Sequence, residues 1–330
     1  MIRSIGCFIA LALLCGCSPL TYQSRQVQVQ QLPAHPLPAG STYAVVVPPT
    51  SVGAAQLVDG ITIPGFTRAS TQDTAEVAIT ANVGQATVAN LTVATATREA
   101  IVSSGSGPTE YQVYSYTGTI TIPSQLTITS KKHGQVVSFT QPTTSSLTFE
   151  KDPSSGKRFT DTFSLEAAFR GQRPALLTQA AIDEVARVQR QANRALIDNF
   201  TASSQPFSIQ LATENSSDPR FAQATTAFDQ AVVGKDADAT AFATRLTPAM
   251  DLWQQIIAGP AGDSDEARNE AKGAALYNQA VGSFLLDHLD DADRSLLAAK
   301  GLGVDAYTVR YLTDLIADHR KRLNAQGTTP

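Results

Sequence analysis

The hydrophobic spacing of this chain changes period near Pro174, and that change limits what the two halves can fold into. Before it, apolar residues recur at every second position, the signature of strands. After it they recur at helical spacing. Val77, Ile79, Ala81 and Val83 alternate with Glu76, Ala78, Thr80 and Asn82, as in a half-buried strand. Val45, Val46 and Val47 form a short strand stopped by Pro48-Pro49, and Leu91 and Val93 sit in a Thr-rich run. Tyr111, Val113, Tyr114 and Tyr116 form a β-prone aromatic run that Ile120 and Ile122 continue to Pro123. Leu126 and Ile128, then Lys131-Lys132-His133-Gly134, then Val136, Val137 and Phe139 predict a hairpin. Leu147 and Phe149 lead to the turn Asp152-Pro153-Ser154-Ser155-Gly156, after which Phe159, Phe163 and Leu165 resume the pattern. Short strands at this spacing predict a mainly antiparallel, sandwich-like fold.

Leu177, Ala181, Val185, Val188, Ala192, Leu196 and Phe200 lie on one helical stripe, with Pro174 suited to its first turn. Phe207, Ile209 and Leu211 then alternate, which predicts a late strand returning to the sheet. The expected β-rich domain therefore covers residues 41–215 and carries one long helix, about 174–200. Residues 216–325 read as all-α. Asp218-Pro219 starts the first helix and Gly234 stops it; a second covers about 237–258 and is interrupted at Thr247-Pro248. Others run over about 265–286, 290–300 with Gly301 as stop, and 305–323. The predicted class is α+β: a β-rich, sandwich-like N-terminal domain followed by a helical C-terminal domain.

All three cysteines, Cys7, Cys15 and Cys17, fall within the first 17 residues, so the rest of the chain must be stable without disulfides or thiolate-bound metal. Only 16% of residues are charged, and the net charge of −4 becomes −5 once Arg3 is removed. Residues 18–172 balance at 9 basic and 9 acidic, whereas residues 173–330 hold 15 basic and 20 acidic. An acidic helical half argues against nucleic acid, which needs a basic face, and against that half lying on an anionic membrane.

The start of the chain sets an address. Met1-Ile2-Arg3 is basic, and Ile5 to Leu14 is apolar but too short to span a bilayer, the layout of a secretory signal peptide. Leu14-Cys15-Gly16-Cys17 resembles the bacterial lipobox. The resemblance implies that residues 1–16 are removed and that Cys17 becomes the lipid-attachment residue at the new N-terminus. Several acyl chains on one residue hold a protein firmly, since each buried CH₂ contributes about 0.8 kcal/mol. Ser18, rather than Asp, after the Cys resembles an outer-membrane destination. The alternative is a soluble secreted chain cut by the ordinary peptidase. Residues 17–40 alternate Gln with Val27 and Val29 and then carry Pro33, Pro36 and Pro38, so they read as a lipidated flexible tether.

A second resemblance lies in the helical half. Tyr277-Asn278-Gln279-Ala280, Leu289-Asp290-Asp291-Ala292, Leu296 and Ala299 are similar to a single tetratricopeptide repeat. It implies that Ala280 and Ala292 sit where two helices cross, and the helical periodicity places Gln279 towards solvent. The sequence departs from the repeat at Asp287, where Gly is usual, and at Val304, where Pro is usual. The layout as a whole is similar to uncharacterised lipoproteins of Bacteroidota, and it brings no catalytic residues.

Candidate chemistry is thin. Asp287, His288, Asp290, Asp291 and Asp293 form the densest polar cluster, which reads as a turn with acids at a helix start rather than a hard-metal site. Asp263, Asp265 and Glu266 lack the glycine and the last Glu of an EF-hand. Ser104-Gly105-Ser106-Gly107 is neither a nucleophile elbow nor a phosphate loop. His35, His133, His288 and His319 offer no Ser-His-Asp set, and His319-Arg320-Lys321-Arg322 reads as a cationic last helical turn. No catalytic, cofactor or metal residue is assigned. The expected function is a non-enzymatic, outer-membrane-anchored scaffold or assembly factor binding an envelope protein. The alternative is a surface ligand-binding or adhesive module using Tyr111, Tyr114 and Tyr116.

Overall fold

The computed structural model describes residues 20–100, 109–215, 217–233 and 239–327. The fold is α+β, with strands concentrated in the first half and helices in the second. The chain divides into two compact units: Pro33–Thr201, and the residues up to Leu32 together with those from Ala202 onward. The first is inserted into the second.

The inserted unit begins with β2 (Thr42–Val46), α1 (Ala54–Gly60) and β3 (Thr67–Arg68), and β2 pairs in parallel with β3 and β4 (Val77–Val83). It continues through β5 (Thr87–Ala100), β6 (Thr109–Ile122), β7 (Ser124–Ser130), β8 (Gly134–Phe139) and β9 (Thr143–Phe149). These form a five-stranded sheet, β3-β2-β4-β7-β8, and a three-stranded one, β5-β6-β9. The registers show that β4 to β9 form one meander that runs through both. β4 meets β7 from Val77↔Ser130 to Val83↔Ser124, and β5 takes up the same hairpin with β6 at Thr87↔Thr121. Likewise Ile122↔Thr143 and Leu126↔Phe139 lie four residues apart on both strands, so β9 and β8 share one register against β6 and β7. The ladder breaks where Pro123, which has no N–H to give, separates β6 from β7. Gly84 donates its N–H to the Pro123 carbonyl at 2.7 Å, and a Cβ there would sit 3.3 Å from the proline ring.

Helix α2 (Thr162–Phe200) packs on both parts of this sheet. It starts earlier than the spacing predicts, because Asp161 caps it: the Asp161 carboxylate accepts from Ser164 N at 2.7 Å and Ser164 Oγ at 2.8 Å. Pro174 lies inside the helix, in the fully exposed stretch 170–175. Phe169 stacks among Tyr116, Phe149 and the ring system that includes Phe159. Beyond the exposed stretch, Ala181, Val185, Val188, Ala192 and Leu196 are buried against the rest of the same core. An ion pair between buried Glu184 and half-buried Arg187 fixes the helix at the break in the ladder. Glu184 is 3% exposed and accepts two bonds from Arg187 and one, at 2.9 Å, from Thr143 Oγ1, the first residue of β9. Arg187 reaches Thr143 Oγ1 and lies over the Phe139 ring. Burial pushes the Glu184 carboxyl up, but the hydrogen bonds from Arg187, Ser124 and Thr143 outweigh it, and it titrates below the usual range.

The other unit opens on β1 (Leu20–Gln31), which pairs antiparallel over its whole length with β10 (Ser203–Asn215). This corrects two expectations. The 17–40 stretch is not a free tether from Leu20 onward, and the late strand does not return to the first sheet. Opposite residues share a face, so Val27 and Phe207, followed by Ile209 and Leu211, form the apolar side of the ribbon. Five helices follow: α3 (Arg220–Val232), α4 (Ala239–Ala258), α5 (Asp265–Leu285), α6 (Leu289–Gly301) and α7 (Ala306–Gly327). α4 passes through Pro248 without ending. α6 is followed by Gly303, not stopped by Gly301: Gly303 has φ 88°, and Gly303 N and Val304 N bond back to Lys300 O and Ala299 O.

α5 is the centre of this unit and touches α4, α6, α7 and β10. Ala280 and Ala292 are both fully buried. Gly282 lets α4 come close, since a Cβ there would meet the Met250 sulfur and lie 3.2 Å from the Trp253 ring. Gln279 does not face open solvent. It is half-buried and donates to Gln254 Oε1 at 2.8 Å. Asn278 is fully buried, and its amide pairs with one residue of β10, accepting from Ala212 N at 3.0 Å and donating to Ala212 O at 2.8 Å. The ladder shifts register at this point, between Thr21/Tyr22 on β1, and Thr213 is the extra residue on β10.

Two outcomes follow. The two ends of the inserted unit are tied together, with Ala34 N on Asp198 O at 3.1 Å and His35 N on Asn199 O at 2.7 Å. Residues 33–201 expressed alone are therefore expected to unfold cooperatively in a thermal melt; a non-cooperative melt contradicts the division. In the full chain, the single tryptophan, Trp253, reports on the helical unit during chemical denaturation. Ala280→Leu is expected to cost about 1–3 kcal/mol by overpacking. Asn278→Leu should cost roughly 2–4 kcal/mol, because it strands a buried N–H and C=O. Asn269→Leu, on an exposed position of α5, should stay within about 0.5 kcal/mol.

Candidate functional site

A cavity of about 230 Å³ lies where β1 begins, against the start of α5 and the loop from α6 to α7. The helix end at Gly303 turns the chain sharply, so Leu302 and Val304 form an apolar wall. Asp305 then caps α7, accepting from Thr308 N at 2.8 Å and Thr308 Oγ1 at 2.9 Å, and these bonds hold its carboxyl below the usual range. Glu270 of α5 and Tyr22 of β1 complete the lining. Tyr22 keeps part of its ring at the surface, and its hydroxyl is pushed up to about 12, first by the partial burial of the side chain and then by the charges of Glu270 and Asp305. At neutral pH it is an intact O–H. One hydroxyl and two carboxylates beside an apolar wall suit an ammonium group better than a phosphate.

Next to the cavity, Tyr277 of α5 is fully enclosed, and its hydroxyl is raised by burial and by proximity to Tyr22 and Tyr311. Tyr311 follows Tyr307 by one helical turn on α7, so both lie on one side of the helix. These tyrosines escape a reading of the sequence because Tyr22 sits in the stretch read as a tether. The available signal was the alternation from Gln26 to Gln30.

The other candidates take structural places. Cys17, the signal residues 1–16 and Ser104–Gly107 lie outside the described residues, as does Gly234. Asp287 occupies the turn after α5 at φ 61°, the left-handed conformation that glycine usually fills. Its carboxylate lies 2.8 Å from His319 Nε2 of α7. Arg320 bonds Asp290 and Asp293, at 3.1 and 2.7 Å, and Asp291 pairs with Arg294. The acidic run and the His319–Arg322 run thus face one another. α7 continues past that run to Gly327, so these cations are not in its last turn. Arg322 turns away to Asp318 and to the Leu32 carbonyl at the end of β1. His288 is the N-cap residue of α6, and Ser264 caps α5 ahead of Asp265 and Glu266. Among the described residues, no group of three or more His, Cys, Asp or Glu could hold a metal ion, and no helix is long and apolar enough to cross a membrane.

In the inserted unit His35 and His133, 98 residues apart in sequence, come within 5.0 Å between ring centres. Tyr114 and Tyr116 share one face of β6, with Tyr116 4.9 Å from Phe169, while Tyr111 falls on the other face. The three do not form one platform.

Compared with protein-family models, with curated proteins and with solved structures, the chain matches none.

The tyrosine cluster makes a testable claim on alkaline stability. The Tyr22 pKa is raised in the folded state, so its contribution is complete below the ordinary value of about 10 and is lost as pH rises from there through about 12. Denaturation followed by Trp253 fluorescence between these values should show a loss that Tyr22→Phe makes shallower. An unchanged slope in Tyr22→Phe contradicts the assignment.

Proposed function

We propose that this chain is an outer-membrane-anchored lipoprotein, held by lipid on Cys17, that acts as a non-enzymatic protein-binding scaffold or assembly factor in the cell envelope. The observation carrying this reading is the helical unit. Its helices α3 to α7 pack each on the next around α5, in the manner of tetratricopeptide-like hairpins, and leave Leu297 of α6 73% exposed. The ionisable groups support a structural rather than a catalytic use. Two buried carboxylates whose hydrogen bonds outweigh their burial, Glu184 and Asp218, each serve a neighbouring arginine and a packing junction. Asp218 is pushed up by burial, but Arg220 outweighs this, and Arg220 also bonds the carbonyls of Gln255 and Gly259 at the end of α4. The alternative, an adhesive or ligand-binding β-rich module, has less support because Tyr111 points away from Tyr114 and Tyr116.

Two measurements test the reading. Cys17→Ala should move the protein out of the membrane fraction; unchanged fractionation overturns the anchor. Leu297→Asp should weaken capture of the wild-type binding partner from envelope extract by roughly tenfold or more, because it places an unpaired carboxylate in an apolar contact. Equal capture by both forms removes the helical face from the proposal.

A further inference from the structure

We infer that the end of the helical unit bearing Tyr22, Tyr307 and Tyr311 is a membrane-contact face that seats on the headgroups of zwitterionic phospholipid. The inference rests on the anchoring at Cys17 proposed above and adds an orientation to it.

Three observations carry it. The first is length. Only Ser18 and Pro19 separate Cys17 from Leu20, the first residue of β1. Three residue steps span at most about 10 Å, so a lipid on Cys17 holds the beginning of β1 within about that distance of the bilayer. A strand paired from its first residue leaves no slack: Leu20 is already opposite Asn215 and buried. The elements surrounding the start of β1 are therefore held within reach of the membrane, and these are α5 at Glu270, the start of α7 and the loop between α6 and α7.

The second is what those elements expose. Tyr307 is 80% exposed, Tyr22 39% and Tyr311 37%, three of the ten large hydrophobic side chains that are most exposed among the described residues. A tyrosine has an apolar ring and a polar tip, and it is enriched at the level of lipid headgroups for that reason. The third is charge. The cavity beneath Tyr22 is lined by two carboxylates, Glu270 and Asp305, so its field favours the ammonium end of a headgroup over the phosphate end.

The chain provides its own probe site. Its three cysteines all lie at or before Cys17, where the thiol is consumed by the lipid, so an introduced cysteine is the one reactive thiol. The full lipidated chain carrying Arg310→Cys, one turn from Tyr307 and leaving all three tyrosines in place, is labelled with a fluorophore and reconstituted on phosphatidylcholine vesicles containing a headgroup nitroxide lipid. A parallel chain carries Asp291→Cys at the other end of α5, which is about 30 Å long. The label at 310 should lose fluorescence and the label at 291 should keep it. Tyr307→Ser with Tyr311→Ser should restore fluorescence at 310, and replacing phosphatidylcholine by phosphatidylglycerol should reduce the loss. Equal responses at 310 and 291 on a chain that floats with the vesicles overturn the contact face, leave the anchor standing and free that face for a protein partner. A larger loss on phosphatidylglycerol overturns the headgroup class. A chain that does not float, and whose first residue carries no acyl mass, overturns the anchor and this inference with it.

Discussion

The helical unit depends on one interaction, the side-chain amide of Asn278 against the backbone of Ala212. A helix and a strand pair poorly as backbones, because the helix has used its own hydrogen-bonding groups. At Ala212 the strand has a shifted register and backbone groups that point away from β1. Buried without partners, each would cost about 1–3 kcal/mol. Asn278 offers one acceptor and one donor in the spacing of a peptide bond and satisfies both groups. That match fixes how far along α5 the ribbon docks, and through α5 it sets where α4, α6 and α7 can pack. Small residues do the rest: Gly282 admits Trp253 and Met250, and Gly273 admits Leu302 and Val304. The same sequence thus serves close helix packing on one side and strand recognition on the other.

Polar groups play a comparable part in the inserted unit. Pro123 and Gly84 break a ladder that would otherwise run from the pair Val77↔Ser130 to the pair Ala100↔Thr109. The break leaves Ser124 and Thr143 beside it, and Glu184 and Arg187 fill the gap from α2. Such an ion pair is weak evidence of net stability. Here it specifies position, holding a 39-residue helix at one point along a discontinuous sheet.

The sequence made the class and most elements legible because periodicity is a local property. It misplaced what depends on distant partners. The Gln-Val alternation of residues 26–30 is a strand pattern, yet its neighbours are polar and its partner lies more than 170 residues away, so proline and glutamine content suggested a tether. The start of α2 was hidden because Pro174 looks like a helix beginning, although Asp161 and Ser164 already spelled a cap. Gly301 was read as the stop of α6, and only the bonds to Ala299 and Lys300 place the left-handed turn at Gly303 instead. The cavity by Tyr22 was illegible for the same reason as β1: three elements far apart in sequence line it. The acidic run at Asp287–Asp293 was read as a turn from local chemistry, but its neutralisation by α7 is a tertiary fact.

The insertion has a mechanical meaning. Both connections to residues 33–201 leave the ribbon at the same end, where Gln31 is opposite Ser203, while the chain's beginning lies at the other end, where Leu20 is opposite Asn215. Tension between residue 20 of β1 and residue 203 of β10 is therefore directed along the strands and at right angles to the bonds between them. Such a load is shared across the whole ladder, whereas a pull at one end of a hairpin opens its bonds one by one. The two-stranded ribbon, small as it is, has the geometry of a shear joint.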